Sequence, residues 1–134
     1  MATKQIFVNL TVKDLAKSKV FFEALGYSFN PQFTNEQAGC MVISDTIYVM
    51  LLTEKFFKGF TKKEIVDAKK STEVIVCLST ESRAEVDELV GKAVAAGGRI
   101  YNEPQDHGFM YAHAFEDLDG HQWELCYMDP NYVQ

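Results

Sequence analysis

The sequence predicts an α+β fold built from two βαβββ modules in tandem, and three observations carry that expectation. Strand-like alternation gives way to helical spacing and then returns, first over residues 5–53 and again over residues 72–128. In each half the helical stretch opens on a polar capping residue and stops at glycine. Aligning Val8-Asn9-Leu10-Thr11 with Val76-Cys77-Leu78-Ser79 superimposes the two series at an offset of 68 residues. A duplication of this kind gives two sheets, each with a face that something must close. At 134 residues the chain is expected to be a single domain, 1–134, whose modules are joined by a partly helical insert at 54–71.

The elements follow in order. Ile6–Val12 places Ile, Val, Leu and Val on one face, the pattern of a half-buried strand. Asp14 is positioned to cap a helix with Leu15, Phe22 and Leu25 at helical spacing, and Gly26 ends it. Tyr27–Phe33 reads as a strand interrupted by Pro31, and Gly39–Ile43 with Thr46–Thr53 reads as a hairpin turning at Ser44-Asp45. In the insert, Thr61-Lys62-Lys63-Glu64 has the form of a capping box and predicts a short helix over Thr61–Lys70. Phe56, Phe57 and Phe60 just before it are expected to pack on the adjacent sheet, the alternative being cover for a cleft or a subunit contact.

The second half repeats this order. Val74–Ser79 alternates as a strand, and Ser82 with Glu85 forms another capping box. Val86, Leu89, Val90, Ala93 and Val94 make one apolar stripe that Gly97-Gly98 closes. Short strands are expected at Arg99–Asn102, Met110–Phe115 and His121–Tyr127, the last two joined by the turn Asp117-Leu118-Asp119-Gly120.

Composition excludes several functions. Hydrophobic residues make up 47% of the chain and charged ones 24%, the balance of a folded globular protein. Thirteen basic against 19 acidic residues give a formal charge of −6, with no cluster of cations to track a phosphate backbone, so no nucleic-acid partner is expected. The run Ile47–Leu52 is far shorter than the ~20 apolar residues that span a bilayer. Met1–Gln5 carries no signal-peptide core. The expectation is a cytoplasmic protein without a membrane partner. Cys40, Cys77 and Cys126 are odd in number and lack CxxC spacing, which predicts free, buried thiols in a reducing compartment.

Two motifs then carry a resemblance. Leu10-Thr11-Val12-Lys13-Asp14-Leu15, Ser18, Phe21-Phe22 and Leu25-Gly26-Tyr27 resemble the opening of the vicinal oxygen chelate superfamily. That group includes glyoxalase I, bleomycin-resistance proteins, fosfomycin-modifying enzymes and extradiol dioxygenases. The stretch from Phe115 to Leu125 resembles the family ending F-x-D-P-D-G-N-x-x-E-L, with Leu118 in place of proline and His121 in place of asparagine. The resemblance implies curved mixed sheets forming a cleft, most often in a homodimer. In the glyoxalase branch one residue on each of four strands holds a divalent metal. The resemblance puts Phe7, Leu51 and Ile75 at three of those positions and Glu124 at the fourth. One carboxylate does not hold a catalytic metal that needs about three protein ligands, so no metal and no other cofactor is expected.

Parity points to the same residues independently. Residues two apart on a strand share a face, which groups Phe7, Asn9 and Thr11, then Ile75, Cys77 and Ser79, then Gln122, Glu124 and Cys126. A cleft lined by these sets holds one carboxylate, one amide, thiols and apolar surface. Desolvation of a carboxyl there favours its taking up a proton, which suits Glu124 as a general base beside a carbonyl; the alternative is a structural ion pair. His113 is a candidate to join it from the preceding strand. His121 and Glu124, three apart on a strand, point to opposite faces and make no metal pair. His107, beside Gly108, falls in a loop.

The candidate site is therefore Glu124 as catalytic residue, with Phe7, Asn9, Leu51, Ile75, Cys77 and His113 binding the substrate. The expected function is glyoxalase-like binding of a small organic molecule, with metal-independent lyase or isomerase activity through Glu124. Two alternatives stay open: a bleomycin-resistance-like protein that sequesters its ligand without chemistry, and a metal-dependent lactoylglutathione-lyase-type enzyme with atypical ligands such as His113 with Glu124.

Overall fold

The computed structural model describes residues 2–132. The chain divides into two compact units, Met1–Val66 and Asp67–Gln134. Each holds one four-stranded mixed sheet assembled in the same order, so the fold is α+β with paired βαβββ modules.

In the first unit β1 (Ile6–Val12) leads into α1 (Leu15–Ala24), followed by β2 (Ser28–Phe29), β3 (Ala38–Val42) and β4 (Ile47–Thr53). The spatial order is β1-β4-β3-β2, with β1 parallel to β4 and the other pairs antiparallel. Asp14 caps α1, its Oδ1 accepting from the Lys17 amide at 3.1 Å. Leu15, Phe21 and Phe22 form the buried side of the helix. A Cβ on Gly39 would lie 3.2 Å from Leu15 Cδ1 and from the Phe29 ring, so the missing side chain lets helix and β2 close onto β3. Gly39 stands opposite Leu51 in the β3–β4 register. The helix therefore covers the face that carries Leu51, Val49, Met41 and Leu10, all buried.

Two expectations fail in this unit. The strand read over Tyr27–Phe33 is only Ser28–Phe29; Pro31–Phe33 is a 3-10 turn capped by Asn30, whose Oδ1 accepts from the Gln32 amide. Proline here starts a turn, because its fixed φ suits the first helical position. The helix expected over Thr61–Lys70 is absent, and a one-turn helix α2 (Glu54–Phe57) lies earlier, capped by Thr53. Thr61 Oγ1 accepts from the Lys63 amide, two residues on, and Asp67 Oδ1 from that of Lys69. These local side-chain turns compete with the helix and win, because the segment has no apolar stripe to bury. Phe56 and Phe60 meet edge to face at 5.3 Å, and Phe60 remains exposed.

The second unit repeats the design with β5 (Ile75–Ser79), α3 (Arg83–Ala95), β6 (Gln105–Asp106), β7 (Met110–Glu116) and β8 (Gln122–Met128). The order is β5-β8-β7-β6, with β5 parallel to β8. Ser82 Oγ accepts from the Glu85 amide, and Glu85 Oε1 accepts from the Glu81 amide at 3.2 Å. At the other end Gly98 N donates to Ala93 O and Gly97 N to Val94 O, which satisfies the last carbonyls. Val86, Val90 and Ala93 are buried, whereas Leu89 is half-buried and Val94 exposed, so the helix buries a narrower stripe than expected. Tyr111 Oη donates to Asp87 Oδ1 on α3 at 2.6 Å, and the Arg83 guanidinium lies 5.2 Å from the Tyr111 ring centroid. The helix thus covers the face of β7 that carries Tyr111, His113 and Phe115.

The strand expected over Arg99–Asn102 reduces to one bridge between Arg99 and Glu116. Pairing with β7 resumes only at Gln105. The turn between β7 and β8 is held by Asp117, which is buried. Its Oδ1 accepts from the Asp119 and His121 amides and its Oδ2 from Trp123 Nε1 at 2.9 Å. Gly120 has φ +91°, and a Cβ there would come within 2.9 Å of the Lys69 backbone. Glycine is required on both counts. Among the described residues no helix is long and apolar enough to cross a membrane.

Candidate functional site

Paired residues on adjacent strands share a face, so the register sorts the candidate residues. In the first sheet Phe7 pairs with Tyr48 and Asn9 with Met50, all on the face away from α1. Phe7 is half exposed, and its ring stacks on that of Tyr48 at 4.8 Å between centroids. Leu51 does not join them. Its partners are Leu10 and Gly39, and it is fully buried on the α1 side. The expectation that Leu51 lines the same face is corrected by one residue of register, which puts Met50 there.

In the second sheet Cys77 stands directly opposite Glu124, and Ile75 opposite Gln122. On the other side of β8, Glu124 faces Ala114 and Cys126 faces Ala112. This face is turned away from α3, and the alanines leave room around the carboxylate. The Cys77 thiol lies beside Glu124 and Cys126. Cys77 is exposed as a residue, but its thiol is partly desolvated. That desolvation, then the negative charges of Cys126 and Glu124, push its pKa up from 9.0 to about 12. Cys77 is thus held as a neutral thiol beside the Glu124 carboxylate and not as a nucleophile. The expectation of three buried thiols holds for Cys40 alone; Cys126 is half-buried.

His113 is not brought to Glu124. It pairs with Leu125 and lies on the α3 side of the sheet, where its Nε2 is buried with no hydrogen-bond partner in the described protein. The expected approach of His113 to the carboxylate fails because residues 113 and 124 sit at opposite parity in the β7–β8 register. His107 lies in an exposed loop, as expected.

Sequence reasoning missed Tyr101. Its hydroxyl is buried and unpaired within the described protein. Burial first, then the negative charges of Glu124, Glu116 and Cys77, push its pKa up. An unsatisfied buried hydroxyl costs about 1–3 kcal/mol, so this group is held at some expense. No signal in the sequence could have found it, because its placement depends on how residues 100–104 depart from β7.

The donor set decides whether a divalent metal fits. The open face of the first sheet offers an amide, a threonine hydroxyl, a thioether, the buried Cys40 thiol opposite Met50 and two rings, and that of the second a carboxylate and an amide beside two thiols. Among the described residues no three His, Cys, Asp or Glu side chains converge so as to hold a metal ion. These residues do not fit a catalytic divalent metal.

Known proteins place these features in context. A family profile described as "Bleomycin resistance protein-like N-terminal" matches residues 4–44. A hypothetical protein from S. aureus has a similar structure, with 32% identity, a TM-score of 0.77, and coverage of 92% of this chain and 93% of that one. A glyoxalase/bleomycin resistance protein/dioxygenase family enzyme from Burkholderia phytofirmans PsJN is 13% identical with a TM-score of 0.75, over 91% and 96% of the two chains. A genomically encoded fosfomycin resistance protein from Listeria monocytogenes is 20% identical with a TM-score of 0.68, over 100% and 95%. The last two likenesses concern the fold alone. No curated protein matches the chain.

Proposed function

We propose that this chain, which belongs to the glyoxalase/bleomycin-resistance/dioxygenase (vicinal oxygen chelate) superfamily, binds a small organic molecule on the open sheet face that carries Glu124 and Cys77. The pairing of Glu124 with Cys77 on a face that no helix of its unit covers is the observation that carries this reading. Glu124 acts there as a general base. It takes a proton from a carbon next to a carbonyl and returns it to the product, as a metal-independent lyase or isomerase requires. Cys77, kept protonated, donates a hydrogen bond to the carboxylate and fixes its orientation. Ile75, on the same face of the same sheet, supplies apolar contact.

Ligand screening by thermal shift identifies the bound compound, and turnover of that compound is then compared in the wild type and Glu124→Gln. The variant keeps the hydrogen-bond partner of Cys77 and the fold but loses the base, so turnover should fall at least ~100-fold with binding retained. Undiminished turnover excludes Glu124 as the base. Stoichiometric binding without turnover in the wild type favours the sequestration reading, in which the same face traps its ligand without chemistry. The metal-independent reading is tested by elemental mass spectrometry after soaking in zinc, nickel, iron and manganese and desalting. Near-stoichiometric retention of one metal overturns it.

We further take the protein to be a cytoplasmic homodimer, in keeping with the family resemblance and three free cysteines. Light scattering on the eluting peak tests the dimer, and a monomer mass at micromolar protein refutes it.

A further inference from the structure

The open face of the second sheet holds one polar group that the reading of Glu124 leaves unused. Arg99 stands opposite Glu116, Glu116 opposite Gln122, and Gln122 opposite Ile75, so this row points to the face that carries Glu124. Tyr101 lies two residues beyond Arg99 and enters the same face. The charges that act on its hydroxyl agree with that parity, because Glu124, Glu116 and Cys77 all belong to this face. The next row across the sheet is Ala114, Glu124 and Cys77. Roughly 10 Å, two strand spacings, therefore separates the backbone at Tyr101 from that at Glu124, and β7 places only a methyl group between the two long side chains. Tyr101 Oη is buried with no hydrogen-bond partner in the described protein. Buried polar atoms are satisfied in nearly every native structure, so an orphan on this face marks a hydrogen bond that a molecule from outside the chain supplies. His113 Nε2, also without a partner, lies on the α3 side of the sheet and takes no part.

We propose that Tyr101 is the acid partner of Glu124: its hydroxyl donates to the oxygen of a carbonyl compound whose neighbouring C–H faces the carboxylate, an assignment that rests on Glu124 as the base. When Glu124 takes the proton, the C–H electron pair forms the new C=C bond and the carbonyl π pair moves onto oxygen. The enolate oxygen then carries the charge, and Tyr101 Oη meets it with a hydrogen bond that strengthens as the charge develops. Return of the proton from Glu124 to carbon regenerates the carbonyl, so atoms and charge balance without a further reactant. The donor set of this face does not fit a divalent metal, which leaves a hydrogen-bond donor to meet that charge. Burial first, then the surrounding negative charges, keep the tyrosine proton on at neutral pH. Tyr101 and Glu124 are both half-buried, and a molecule seated on the carboxylate draws the hydroxyl into contact, as such bonds tighten on binding. The substrate class is an uncharged ketone, aldehyde or thioester with a proton on the adjacent carbon, and not a carboxylate, whose second charge one neutral donor does not meet.

4-Nitrophenolate presents an oxyanion like that of the enolate on a flat ring, and nitrobenzene keeps the ring without it. Each is titrated to about 10 mM into the full chain, since fragments of this size bind at about millimolar affinity. At about pH 8.5 the probe is ionised and an ordinary tyrosine is not. Binding is measured by equilibrium dialysis and located by the backbone amide shifts of Cys77 and Glu124. Glu124→Gln, which imitates the protonated base, is expected to bind 4-nitrophenolate at least about tenfold more tightly than the wild type, whose carboxylate repels it. Adding Tyr101→Phe should weaken that binding by about tenfold or more, the worth of a charge-assisted hydrogen bond, while nitrobenzene binds both variants alike. Tyr101→Phe alone removes an unpaired hydroxyl, so urea unfolding should show no loss of stability. A loss there reveals a partner within the fold and overturns the proposal. Phenolate binding that Tyr101→Phe leaves unchanged overturns the role of Tyr101 and leaves Glu124 standing as the base. Equal phenolate affinity in the wild type and Glu124→Gln overturns the reading of Glu124 and this one with it. Absence of phenolate binding to Glu124→Gln assigns the hydroxyl to solvent and overturns the proposal. A parallel loss of nitrobenzene shows that the substitution altered the face itself, and it overturns the hydrogen bond.

Discussion

The Cys77–Glu124 pair makes a quantitative prediction about thiol chemistry. A cysteine with the ordinary pKa of 9.0 is about one-tenth thiolate at pH 8, whereas one raised to about 12 is ionised about a thousandfold less. Thiolates of higher pKa are stronger nucleophiles, with a Brønsted slope of roughly 0.4–0.5, which returns a factor of roughly 15–30. The net expectation is that Cys77 reacts with a small neutral disulfide about 30–60-fold more slowly than in the unfolded chain, despite its exposure. The assay is exchange with 2-hydroxyethyl disulfide, read at Cys77 by peptide mass spectrometry, in native buffer and in urea. The native rate should rise about tenfold per pH unit past the point where the unfolded thiol levels off. Glu124→Gln removes one of the charges that hold the proton on and should speed the reaction at pH 8. A native rate that levels off near pH 9, or equals the unfolded rate at pH 8, refutes the account. The linkage has a definite sign. The folded pKa exceeds the unfolded one, so this contribution is intact below about pH 9 and is lost as pH rises towards 12.

Other outcomes follow from the same geometry. Asp117→Ala removes the acceptor of Trp123 Nε1 and of two turn amides from a buried site, and should cost about 3–5 kcal/mol in urea unfolding; a loss below about 1 kcal/mol would mean the turn is held otherwise. Arg83 grips Asp106 through two hydrogen bonds and, with the Gly108 amide, lowers its carboxyl to about 2 from 3.8. Arg83→Ala should return the Asp106 carboxyl towards the ordinary range in an NMR titration. The contribution of that pair to folding is present above pH ~4 and lost as pH falls towards 2.

The fold was legible because its signals were local and redundant. β1 runs over Ile6–Val12 as alternation indicated, Asp14 and Ser82 cap the helices they were expected to cap, and glycine follows each helix. What failed depended on partners distant in sequence. Thr61 and Glu64 have the form of a capping box, but without an apolar stripe to bury the chain takes smaller turns instead. Arg99–Asn102 looks like a strand, yet a surplus of two residues against β7 leaves a single bridge. Parity within a strand was readable, which is why Ile75 shares a face with Cys77 on β5, and Gln122 with Glu124 on β8. Parity between strands requires the register. Leu51 and His113 were therefore placed on faces they do not occupy, and Tyr101 went unnoticed.

The duplication explains where chemistry can reside. Both sheets turn one face to a helix, and there side chains must fill a fixed volume: Leu51, Val49 and Met41 in one unit, Trp123, Phe115 and Leu125 in the other, all buried. The opposite faces also bury Ala38, Cys40 and Leu52 in one unit and Ala112 and Ala114 in the other, but they leave their remaining side chains more open, and these differ between the units. The pair Asn9–Met50 in the first sheet occupies the β1–β4 position that Cys77–Glu124 occupies between β5 and β8 in the second. Neither Asn9 nor Met50 titrates, so of these two equivalent pairs only Cys77–Glu124 can exchange protons. On the second sheet's own open face, that pair supplies the base of the proposed reaction. Replacing Ile75, on the same face as Glu124, should then alter affinity for a bound ligand with little change in kcat, whereas Glu124→Gln should remove the turnover with binding retained.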